Sequence, residues 1–186
     1  MNSAIKLALI LSALIPSIDT SAATNHVVEQ GGYSAWNKLQ SVDGNCCVCF
    51  PCTPEHVRHK APHPNSDADL LYSVYVAGQD TEVVYMLLVA ECTGQMTGND
   101  AEKGLESLLN SLLTQNANNK LVYADLVHID GEKGLDFCIQ TGSKHFRGRA
   151  ILGSNNVMYL LACECCQTMY NHESYTYFIE SFELQD

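Results

Sequence analysis

Positive charge is scarce in this chain. Ten lysines and arginines stand against 21 aspartates and glutamates, a formal net charge of −11. Such a surface repels phosphate backbones and anionic lipid, which argues against nucleic-acid binding. Long apolar runs are scarce too: beyond the first residues none reaches membrane length, so no stable membrane insertion is expected of the mature chain. Several enzyme motifs are missing, among them G-x-S-x-G, the P-loop, H-E-x-x-H and the glycine pattern of dinucleotide folds. Asp125, Asp130 and Asp136 are scattered over strands and turns rather than paired for acid–base work. No catalytic, cofactor-binding or metal-binding set is assigned, and the chain reads as not an enzyme.

Cysteine, by contrast, is abundant. Of nine, Cys46, Cys47, Cys49 and Cys52 form one knot, Cys163, Cys165 and Cys166 form another, and Cys92 and Cys138 stand apart. What such density means depends on the compartment, and the first residues bear on that. Lys6 gives a weak positive start, Leu7 to Ile15 is an apolar run broken only by Ser12, and Pro16 ends it. Ser21-Ala22-Ala23 then offers small residues before a cut at Thr24. Nine residues of helix reach about 14 Å against a bilayer core of about 30 Å, so the run suits a cleaved export signal better than a membrane span. The expectation is an exported chain, periplasmic or secreted, with a signal at 1–23, a lead-in at 24–42 and one domain at 43–186. Trp36 is expected to pack the lead-in against the body.

Hydrophobic periodicity supplies the elements. Asn45 to Pro51, Leu70 to Ala77 and Val83 to Cys92 read as strands, and the Pro-rich stretch His56 to Ala68 reads as a loop. Leu105, Leu108, Leu109, Leu112 and Leu113 make one face of a long helix, with Asn99 as its N-cap. Four strands of a meander follow: Leu121 to Ile129, Leu135 to Thr141, His145 to Leu152 and Asn156 to Cys165. Asp130-Gly131-Glu132-Lys133-Gly134, Gly142-Ser143 and Gly153-Ser154-Asn155 are its turns. Tyr175, Phe178, Ile179 and Phe182 signal a last helix. Antiparallel strands in runs, with amphipathic helices to cover them, predict an α+β fold: a three-layer α/β/α sandwich around a mainly antiparallel sheet.

Three segments carry a resemblance. Asp43 to Pro54, with Gly44, Val48, Phe50-Pro51 and Pro54, resembles a G-x-x-x-V-x-F-P-x-x-P opening strand. Gly131 to Phe137, Arg147 to Ala150 and Asn156 to Leu161 resemble the meander of the same family. Phe178-Ile179-Glu180-Ser181-Phe182-Glu183-Leu184 resembles its F-[IL]-x-S-F-x-[LF] close. Together they are similar to the PsbP-like superfamily, including DcrB-like exported proteins. The resemblance implies an α/β/α sandwich that serves as a binding or assembly module, with no catalytic set to carry over. The cysteines depart from that pattern.

In a strand, Cys47 and Cys49 share one face and Cys46, Val48 and Phe50 the other, while Tyr159, Leu161, Cys163 and Cys165 share a face later on. If the two strands were antiparallel neighbours, Cys47 would oppose Cys165 and Cys49 would oppose Cys163. Three readings stay open at this point: disulfide staples, a zinc or copper(I) site, or buried thiols packing as small apolar groups. Cys49-Phe50-Pro51-Cys52 has redox-motif spacing but lacks the helix N-terminus that lowers a thiol pKa. His56, His59 and His63 read as a solvated loop, His128 and His145 as exposed strand positions, and Lys144, Arg147 and Arg149 as a basic solvent face. Tyr170, Tyr175, Tyr177, Phe178 and Phe182 read as helix packing plus surface tyrosines. The function that follows is an exported, non-enzymatic binding or assembly module with a protein partner and no cofactor. The alternative is a soft-metal or thiol-redox protein using Cys47, Cys49, Cys163 and Cys165.

Overall fold

A computed structural model describes residues 36–41, 46–62, 69–78, 82–91, 98–153 and 156–185. The export signal, His63 and Cys92 lie outside these residues. Among these residues ten strands and two helices follow in order: β1 Asn37–Gln40, β2 Cys46–Phe50, β3 Glu55–Pro62, β4 Asp69–Gly78, β5 Val83–Glu91, α1 Gly98–Thr114, β6 Asn119–Ile129, β7 Glu132–Thr141, β8 Lys144–Leu152, β9 Val157–Cys166, α2 His172–Glu180 and β10 Glu183–Leu184. A 3-10 turn, Gln167–Met169, leads from β9 toward α2.

Strands β3-β4-β5-β9-β8-β7-β6 form a seven-stranded sheet in that spatial order, and β1-β2-β10 form a small three-stranded one. Every pairing in both is antiparallel. The meander turns behave as their residues dictate. Asp130 and Gly131 both take positive φ (52° and 86°), the two-residue hairpin geometry that Asp-Gly favours. Gly142 turns β7 into β8 at φ 61°.

The large sheet is apolar on both faces. From β5, Met86, Leu88 and Ala90 face α1, joined by Leu105, Leu108, Leu109, Leu112, Phe137 and Leu160. Tyr85, Leu87 and Val89 face the other way, into a layer with Cys46, Val48, Phe50, Tyr159, Phe178 and Phe182. Three layers result: α1, the large sheet, and a mixed layer of α2 with the small sheet. The second helix starts where Asn171 Oδ1 accepts the Ser174 N–H at 3.0 Å, satisfying a first-turn donor. Phe178 then sits 5.3 Å from Phe50 and 5.1 Å from Tyr85 between ring centroids. Truncating this fully buried ring to alanine would cost about 3–5 kcal/mol.

Trp36 packs on the body as expected, edge-on to Tyr85 and Tyr177 at 5.4 and 5.3 Å. Two expectations are corrected. The first part of the stretch read as loop, residues 56–62, belongs to an edge strand that begins at Glu55, because the prolines lie at or beyond its end and leave its pairing with β4 intact. Asn99 lies inside the first turn of α1, which begins one residue earlier.

Candidate functional site

The first cysteine knot splits by strand alternation. Cys46 turns inward with Val48 and Phe50, fully buried, and its thiol donates to Ser41 Oγ at 3.2 Å. Burial pushes its pKa up to about 11. Cys47 turns to the outer face of the small sheet, where Gln40 and Glu183 flank it on either side. Its thiol donates to Glu183 Oε2 at 3.3 Å, and Gln185 Nε2 donates back to the sulfur at 3.7 Å. Lys38 Nζ donates to the same Oε2 at 2.8 Å and also reaches the thiol. Burial foremost, then Glu183, raises the Cys47 pKa against the pull of Lys38. Cys49 shares this outer face; its backbone N–H donates to Ser181 Oγ at 2.9 Å, and its thiol meets the Tyr177 hydroxyl. Cys52 lies past Pro51, exposed, and donates to the Gly78 carbonyl at 3.3 Å.

The second knot sits mid-sheet. Cys163 faces Tyr85 on β5 and Arg147 on β8, and Cys165 faces Val83 and His145. Cys138 on β7 faces Arg147 from the far side and Tyr123 on β6. One row therefore crosses five strands as Tyr123, Cys138, Arg147, Cys163 and Tyr85. Cys163 and Cys165 share a thiol–thiol hydrogen bond, and that bond together with burial holds the Cys163 pKa far above the thiol range. The Arg147 guanidinium lies 4.2 Å from the centroid of the Tyr170 ring, a cation–π contact. Arg147 Nε and His145 Nδ1 are buried without a partner among the described residues.

These positions correct the expected rectangle of sulfurs. The strand β2 pairs with β1 and β10 and never with β9, so Cys47 and Cys49 do not oppose Cys165 and Cys163. They also face away from the layer that Cys163 and Cys165 enter. What the knots share is that layer, through Cys46. The soft-metal set Cys47, Cys49, Cys163 and Cys165 thus has no common centre. Among the described residues no group of three His, Cys, Asp or Glu side chains could hold a metal, and none of the described cysteines forms a disulfide.

Other side chains also depart from expectation. His145 is buried, and Arg149 is half-buried, donating from Nε and Nη2 to Asp136 Oδ1 and Oδ2 at 2.6 and 2.7 Å. With Arg147 under Tyr170, the basic solvent face reduces to Lys144, which pairs with Glu164 at 2.7 Å. His56 and His59 are strand residues stacked on Tyr75 and Tyr72, at 4.3 and 5.6 Å between centroids.

The feature that sequence reasoning missed is the far edge of the large sheet. The strand β6 is 11 residues long and has a neighbour on one side only among the described strands. Leu121, Val122 and Leu126 are 47%, 52% and 60% exposed there. At the opposite edge, β3 presents His56, Arg58, His59 and Lys60, charged or polar groups of the kind that keep sheet edges apart. No simple alternation announced it: a register shift between Leu121 and Tyr123 leaves Val122 without a partner on β7.

The arrangement matches a solved structure. The solution structure of cyanobacterial PsbP (CyanoP) from Synechocystis sp. PCC 6803 aligns with a TM-score of 0.59 and 12% sequence identity, covering 86% of this chain and 98% of that one. The fold is that of PsbP. No protein-family model and no curated protein matches the chain. At this identity the PsbP likeness concerns the fold, and residue roles rest on the geometry above.

Proposed function

We propose that this chain is an exported, non-enzymatic binding or assembly module that takes a basic protein partner as an added strand along β6. The carrying observation is the exposure of Leu121, Val122 and Leu126 on a long edge strand whose outer backbone has no described neighbour. Strand addition supplies main-chain hydrogen bonds, and the exposed apolar side chains supply the contact area. A net charge of −11 favours a cationic partner and opposes a second copy of the chain. The thiols of Cys46 and Cys163, buried and held above the ordinary thiol range, support a non-enzymatic reading, since the thiolate is the nucleophile. Export rests on residues 1–23 of the sequence, and no helix among the described residues is long and apolar enough to cross a membrane.

The test compares the native chain with Val122→Lys/Leu126→Lys in its own host by size exclusion of the fraction that holds it. The native chain is expected in an assembly larger than a single chain, and the variant as a monomer with an unchanged circular dichroism spectrum. A native chain that elutes alone, or a variant that stays in the assembly, contradicts the reading.

A further inference from the structure

Three strands of the small sheet bring a thiol, an amine and a carboxylate to one point. Cys47 comes from β2, Lys38 from β1 and Glu183 from β10. The thiol and the ammonium donate to the same oxygen, Glu183 Oε2, at 3.3 and 2.8 Å, and they touch each other. Cys47 itself is only 1% exposed, yet its cover is partly two side chains that are 56% and 61% exposed, Lys38 and Glu183. A reagent as small as a peroxide reaches such a sulfur when those tips move, and a bulky one does not.

We propose that Cys47 and Lys38 are an oxidative cross-linking site: hydrogen peroxide converts the contact into a sulfenamide bond between Cys47 Sγ and Lys38 Nζ. In the first step the sulfur attacks one peroxide oxygen, the O–O bond breaks, and the thiol proton passes through Glu183 to the departing hydroxide. Cys47 becomes a sulfenic acid, oxidised by two electrons, and one water leaves. Sulfenic acids condense with nitrogen nucleophiles. Lys38 Nζ, an ammonium, gives one proton to Glu183 Oε2 and attacks Sγ as the amine; the S–O bond breaks, the hydroxyl leaves with that proton as a second water, and the new S–N nitrogen releases its remaining extra proton to solvent. In sum, one thiol, one ammonium and one peroxide give one S–N bond, two waters and one released proton.

The competing nucleophile is Cys49, two residues along the same face. Its thiol is engaged by the Tyr177 hydroxyl, whereas Lys38 already touches the sulfur. Because Glu183 and the thiol favour the ammonium form of Lys38, the second step quickens as pH rises.

The experiment treats the folded full chain with millimolar hydrogen peroxide at mildly alkaline pH, blocks remaining thiols, and maps tryptic peptides without reductant. The expected product is a peptide uncleaved after Lys38, about 2 Da below its reduced mass, reverting with excess thiol. Lys38→Arg keeps a cation beside Glu183 and is expected to abolish the product, while Glu183→Gln slows it by about a hundredfold. Cleavage at Lys38 with Cys47 as sulfinic or sulfonic acid overturns the proposal. So does a Cys47–Cys49 disulfide, an unmodified Cys47, or an undiminished product in Lys38→Arg.

Discussion

Cys163 lies directly opposite Tyr85 across β9 and β5, both almost fully buried, so its neighbour on β5 is a tyrosine rather than a cysteine. Burial raises the Tyr85 pKa, and Cys163 and Cys165 add to it, so Tyr85 and Cys163 both stay protonated at neutral pH. The second knot is thereby packing material. Its sulfurs fill space beside aromatic rings in the layer that joins α2 to the sheet.

A graded thiol reactivity follows. A maleimide reagent is expected to label exposed Cys52 first and half-buried Cys49 and Cys166 next. Cys46, Cys47, Cys138, Cys163 and Cys165 are expected to label only on unfolding. Peptide mapping with and without denaturant reads the order directly. Rapid native labelling of Cys163 or Cys165 would contradict the layer assignment.

Phe137 covers Gly148 across β7 and β8. A Cβ added at Gly148 would meet the Leu161 carbonyl oxygen at 2.8 Å and Phe137 Cζ at 3.0 Å, and the first of these is backbone that cannot swing aside. Gly148→Ala is expected to destabilise the protein by about 1–3 kcal/mol, as overpacking does, seen as a lower midpoint in urea. Gly131, with nothing within 4 Å of its added Cβ, tests the other cause, because its φ of 86° alone makes alanine costly there.

Stability is expected to fall as the medium acidifies through the histidine range. Burial first, then Arg147, lowers the His145 pKa from 6.5. The unfolded chain therefore takes up this proton before the folded one. The contribution is complete above 6.5 and declines as pH falls from there toward the folded value. His145→Gln is expected to flatten urea-midpoint profiles between neutral pH and pH 5. Depressed Glu183 and Glu102 act in a separate, lower window: their contributions are present above 4.5 and lost as pH falls through their folded values. A profile as steep in His145→Gln as in the native chain would contradict the assignment.

Local chemistry was legible in the sequence, and sheet neighbourhood was not. Asp130-Gly131 and Gly142 announced their turns because positive φ restricts the residues that fit, and five leucines announced α1 by their spacing. Which residues of β2 and of β9 share a face also read correctly. What failed was the partnership of strands far apart in sequence. The strand β9 lies between β5 and β8, while β2 leaves the large sheet to pair with β1 and β10, and no local pattern encodes either choice. The edge strand β3 was hidden because His56, Arg58 and Lys60 leave almost no apolar alternation to detect. His145 and Arg149 looked solvated because their cover, from other strands and α2, is equally remote in sequence.

The claim that β6 receives a protein partner is tested most directly by a photo-reactive residue in place of Val122, irradiated in the producing cell, with the same residue in place of exposed Glu106 on α1 as control. The account predicts one discrete adduct from position 122, absent from position 106 and lost when Leu126→Lys is added. No adduct at 122, or the same adduct from both positions, would contradict it.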